Sequence, residues 1–171
     1  MKLETLILSN LLNDDVYLRK VVPFLRDEYF IDWTERKVFQ HIKTFVDEYN
    51  ASPSREALSV IFQNDKSLSE DEYGKVTDVV TSLKTEEINK PWLLDETEKF
   101  CKDKAVYNAI LQSIGIMEGR DKNFSKDGIP SLLQEALGVC FDSSVGHDYF
   151  EDSSDRFDFY NRVESRLPFD L

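Results

Sequence analysis

The sequence predicts an all-α fold, and three observations carry that reading. Glycine and proline are scarce, with 6 and 5 in 171 residues, too few turn-formers for many short strands. Apolar residues recur at helical spacing, most plainly at Val38, Phe39, Ile42, Phe45, Val46 and Tyr49. Several of these segments open on residues that start helices, namely Ser54, Ser69 with Glu72, and Pro91.

Taken in order, Leu3, Leu6, Ile7 and Leu11 predict a first helix over Leu3–Leu12. A second, short helix covers Asp15 to Val22 and stops at Pro23, whose ring cannot continue it. The third carries the apolar stripe from Val38 to Tyr49. Arg36, Lys37, Gln40, Lys43 and Asp47 fill its polar face, and it ends near Asn50. Ser54 caps a fourth helix bearing Ala57, Leu58, Ile61 and Phe62. Ser69 and Glu72 form a capping box that opens a fifth, running through Val76, Val79, Val80 and Leu83. Residues 1–90 therefore read as a globular head of short helices.

The pattern lengthens after Pro91. From there to Glu118 no further proline interrupts the chain, and Gly119 is the expected stop. Phe100, Tyr107, Ile110, Ile114 and Met117 step by seven, three, four and three, a coiled-coil-like seam. Val106, Ala109, Leu111 and Ile116 are apolar as well, so more than one face seeks burial. After a polar loop, Ile129, Leu132, Leu133, Ala136, Leu137 and Cys140 predict a second helix, with Cys140 buried on its apolar face. Together these make a long antiparallel hairpin over residues 91–148. Its apolar surface is too broad for two helices to cover mutually, so the head or a second subunit is expected to cover it. A last helix, within residues 149–171, carries Phe157, Tyr160, Val163 and Leu167 in one stripe and ends at Pro168. Nothing later in the sequence could pack on that stripe, so it reads as a linker, and Leu171 as a boundary with chain beyond it.

Composition narrows the function. With 33 acidic and 21 basic side chains the net charge is −12. Such a chain does not hold a phosphate backbone through its overall field. Lys99, Lys102 and Lys104 are interleaved with Glu98 and Asp103, so no basic stripe compensates. Cys101 and Cys140 are far apart and have no ligand-spaced partner, which argues against zinc. The start turns polar at Ser9-Asn10, and no apolar run approaches the roughly 20 residues that span a bilayer. A cytoplasmic protein without membrane contact is expected.

Catalytic patterns are missing. The glycines stand at 74, 115, 119, 128, 138 and 146, and no pair is spaced for a phosphate loop. His147 has Asp148, Ser143 and Ser144 nearby but no nucleophile-elbow pattern, so it reads as a loop histidine. His41 falls on the third helix and should be partly exposed. No catalytic, cofactor-binding or metal-binding residue is assigned.

Arg36, Val38-Phe39, Ile42 and Phe45, followed by Pro53-Ser54 and Leu58, resemble the N-terminal domain of DnaB-type replicative helicases. Further stretches resemble the T-even bacteriophage branch of that family. They are Pro91-Trp92-Leu93 with Glu96-Thr97-Glu98-Lys99, Ala136-Leu137, Phe141-Asp142-Ser143, Val145-Gly146-His147-Asp148 and Arg166-Leu167-Pro168-Phe169.

The resemblance implies a non-catalytic collar. The parent would be an ATP-driven (or GTP-driven), magnesium-dependent 5′ to 3′ DNA helicase whose RecA-like motor lies beyond residue 171. It implies self-association through the hairpin seam (Phe100, Tyr107, Ile110, Ile114, Met117) as dimers stacked into a hexamer. It also implies contacts with primase and a helicase loader, and only weak or absent binding of single-stranded DNA by this portion. The last helix, through Phe157, Tyr160, Val163 and Leu167, would dock on a neighbouring motor domain. Two alternatives compete. A primase's helicase-binding domain would follow a catalytic domain and end near the hairpin. An acidic regulatory protein would carry carboxylates in regular rows, whereas here acids and bases alternate.

Overall fold

The computed structural model describes residues 2–84, 88–120 and 124–141. Among them are seven α-helices and no strand. They are α1 (Leu3–Asn13), α2 (Asp15–Val21), α3 (Trp33–Tyr49), α4 (Arg55–Asn64), α5 (Glu70–Ser82), α6 (Lys90–Met117) and α7 (Ile129–Leu137). Two short 3-10 turns, Asp27–Tyr29 and Lys126–Gly128, complete them. The all-α reading holds. The linker stripe Phe157, Tyr160, Val163 and Leu167, and the cluster around His147, lie outside the described residues.

Local chemistry sets the helix ends. Asp14 terminates α1 and caps α2, accepting from the amides of Val16 and Tyr17. Asp32 caps α3 through the Thr34 amide, and Asn50 closes that helix in the left-handed region at φ 52°. Asparagine tolerates that conformation better than most residues because its short amide can bond locally. Ser54 caps α4, and the Ser69–Glu72 box is closed in both directions. Asn89 caps α6, which begins at Lys90, one residue before the expected start, with Pro91 in the first turn. Gly119, at φ 74°, ends α6. Its amide donates to the Ile116 carbonyl and that of Arg120 to the Gly115 carbonyl, the paired bonds of a Schellman stop.

The core gathers Ile7, Leu8 and Leu11 of α1, Leu18 and Val21 of α2, and Val38, Phe39 and Ile42 of α3. Leu58 and Phe62 of α4 and Val76 and Val80 of α5 complete the head side. Each such side chain contributes about 1.5–3 kcal/mol when fully buried. The segment between α2 and α3 has no helical periodicity, yet it adds Leu25, Tyr29 and Phe30, all nearly inaccessible. Phe30 stacks on Phe39 at 5.0 Å.

The head core does not stop at residue 90. Leu93, Thr97, Phe100 and Cys101 of α6 are buried in it. Phe100 meets Phe30 at 6.1 Å and Tyr29 edge-on at 6.4 Å. Burial pushes the Cys101 thiol up to about 12, helped by the Glu98 carboxylate. The first half of α6 is thus head and its second half is hairpin.

Candidate functional site

The second half of α6 packs on α7 through one narrow face. Ala109 and Ile116 of α6 and Ala136 of α7 are the buried contacts. Small side chains at Ala109 and Ala136 let the two helices approach closely. The reversal between them is set by the Gly119 stop and by the Ser125 cap on the 3-10 turn.

At about 100° per residue, Tyr107, Ile110, Leu111, Ile114 and Met117 spread between about 80° and 200° round α6 from Ala109, centred near 140°. That direction points away from α7. All five are exposed, from 45% for Ile114 to 59% for Tyr107 and Met117. Soluble monomers rarely leave so contiguous an apolar stripe in water. Polar ends bracket it. Lys104 lies over the Phe100 ring, its Nζ 5.5 Å from the centroid, and Glu118 is bridged to Arg120.

Four of the five seam candidates, Tyr107, Ile110, Ile114 and Met117, therefore come together on one outward face. Phe100 does not join them, because the head claims it as core. Periodicity marks which residues share a helix face but not which neighbour covers it. Leu111 shares that face as well, its spacing of four from Tyr107 and three from Ile114 placing it beside them. Cys140 departs from expectation too: α7 ends at Leu137, Gly138 breaks the helix, and Cys140 is exposed.

A cleft of about 290 Å³ opens between the 24–29 segment and the hairpin. Phe24, Arg26 and Tyr29 line one side, and Asn108, Gln112 and Glu135 the other. Phe141 packs on Phe24, with ring centroids 4.8 Å apart. No sequence pattern marks this cleft, since its walls come from three separate segments.

His41 is part of a polar clasp on the head. Its Nε2 lies 3.0 Å from Asp65 Oδ2, and Lys37 Nζ lies 2.9 Å from the same oxygen. Asp65 also accepts from the Ser67 amide and hydroxyl. The Ser67 hydroxyl bond, then the Lys37 ammonium, holds its carboxyl well below the usual carboxylate range. The clasp ties the α4–α5 turn to α3. Among the described residues no three His, Cys, Asp or Glu side chains gather as metal ligands, and no helix is long and apolar enough to cross a membrane.

The geometry defines an all-α head with a projecting hairpin whose outer face is apolar. Over 174 aligned residues, 97% of this chain, the sequence is 36% identical to the DnaB-like replicative helicase of Enterobacteria phage T4. That similarity supports a DnaB-type helicase-related domain. It spans 36% of the length of the curated relative it matches. No family profile matches the chain.

Proposed function

We propose that this chain is the non-catalytic N-terminal collar of a hexameric bacteriophage replicative DNA helicase. The observation that carries the reading is the outward stripe of Tyr107, Ile110, Leu111, Ile114 and Met117, on a chain related to about a third of a replicative helicase. An apolar helix face aimed away from its own core suits pairing with another copy. In this reading the pairs assemble into a ring, and primase and a helicase loader engage the collar at the fork, in the host cytoplasm. The parent uses ATP or GTP with magnesium to unwind duplex DNA 5′ to 3′. The glycine spacing here does not fit a phosphate loop, so no step of hydrolysis is assigned to these residues.

The test is assembly. Ile114→Asp and Met117→Asp together should convert the associated chain to a monomer in sedimentation while leaving its helical circular dichroism intact. An unchanged association state would remove the hairpin from the interface. A G-x-x-x-x-G-K-[ST] run encoded beyond Leu171 would separate the helicase from the primase reading.

A further inference from the structure

The return arm of the hairpin is held weakly along its own length. α7 has nine residues, below the length at which an isolated helix is stable in water. No side chain caps its first turn, and Ala136 is its one buried residue. Its body packs on α6 and on the 3-10 turn before it rather than on the helices of the head. Between α7 and the 24–29 segment lies the cleft of about 290 Å³, lined in part by Arg26, Asn108, Gln112 and Glu135. That polar gap is no apolar seam.

The apolar anchorage of this arm comes from the four residues that follow α7. Gly138 ends the helix, its amide reaching back to the Gln134 and Glu135 carbonyls. Gly138, Val139 and Cys140 then line the hairpin side of the cleft, and Phe24 lines the head side. Val139 and Phe141 are partly buried against the core, and the Phe141 ring lies on Phe24 at 4.8 Å. One aromatic contact therefore joins the two walls. Phe141 is also the last residue of this compact unit, so a displacement of the chain that follows acts on its ring before it acts on α7. The outgoing arm is attached quite differently, with Leu93, Thr97, Phe100 and Cys101 of α6 sunk in the head.

We infer that residues 138–141 form a releasable latch. With Phe141 on Phe24, α7 is held and the cleft is bridged. With the rings apart, α7 and the strap leave the head together and the cleft opens, while α6 stays fixed in the core. The latch works within one chain and does not depend on pairing between copies.

Native-state hydrogen exchange on the 171-residue chain, followed amide by amide in low urea, tests it. The amides of Leu133 to Leu137 should exchange through an opening that exposes little surface and so varies little with urea. Those of Val38 to Ile42 should need global unfolding and respond steeply. Phe141→Ala should speed exchange in α7 about 10-fold. Phe24→Ala should act alike, and the two together should fall well short of the product of their separate effects, because they remove one contact. Amides of α7 that share the steep urea dependence of α3 would show that α7 opens only with the head, and would overturn the latch. Effects that multiply would overturn the Phe24–Phe141 contact as its catch. Spin labels at Glu56→Cys and Gln134→Cys in the Cys140→Ser chain, where Cys101 is buried, report the movement itself. The parent should give one distance, and Phe141→Ala should add a second population. A single, unchanged distance would overturn the departure of α7 from the head.

Discussion

The Tyr17 hydroxyl lies 2.7 Å from Thr97 Oγ1, joining α2 to α6 across 80 residues of sequence inside the core. Thr97 in turn donates to the Leu93 carbonyl at 2.6 Å, which leaves Tyr17 as donor to Thr97. Thr97→Val should therefore cost more than Tyr17→Phe. The first strands a buried hydroxyl, at about 1–3 kcal/mol. The second leaves Thr97 its carbonyl acceptor and costs about 1 kcal/mol. Urea unfolding midpoints of the two variants check the order.

Glu35 is 8% exposed and sits between α1 and α3, where Thr5 Oγ1 donates to it at 3.1 Å. Burial raises its carboxyl pKa above the ordinary value, only partly opposed by that bond. Folding thus favours the protonated form. Its stabilising contribution is full below the unfolded value near 4.3 and is lost as pH rises through the raised folded value. Glu35→Gln should raise the melting temperature at pH 7 and lose that advantage below about pH 4. Thermal scans across pH measure it.

Asp65 carries the opposite sign. Its folded pKa lies below the unfolded value near 3.9, so its contribution is present above that value and is lost as pH falls toward the folded one. Asp65→Asn should destabilise the head by on the order of 1 kcal/mol at pH 7. The gap to the parent chain should narrow between pH 4 and pH 2. Denaturant midpoints at both ends of that range test it.

The purified chain should show no steady ATP turnover, given the glycine spacing. Its affinity for single-stranded DNA at physiological salt should be on the order of 10 µM or weaker, given the net charge of −12. Coupled ATPase assays and fluorescence anisotropy measure both. Nanomolar, salt-sensitive binding would show a basic surface that composition conceals.

How much was legible in advance depended on whether the cause was local. Ser54, Ser69 with Glu72, Pro91 and Gly119 act within a turn of themselves, and each stands at or beside a helix end. Leu25, Tyr29 and Phe30 went unmarked because they are buried by a non-periodic segment. Phe100 illustrates the other limit. Its spacing from Tyr107 is that of a seam, but the rings of Tyr29 and Phe30, some 70 residues upstream, decide its place. The cleft beside Phe24 was hidden for the same reason.

The continuity of α6 has a mechanical meaning. Its 28 residues make a rod of about 42 Å, fixed at one end around Leu93, Thr97 and Phe100. Past Pro91 in its first turn, nothing in the rod bends easily until Gly115, two residues from its end. A sideways force at Ile114 therefore has no hinge in which to dissipate. It arrives as torque at the rings of Tyr29, Phe30 and Phe39, and the head must turn with the hairpin as one lever.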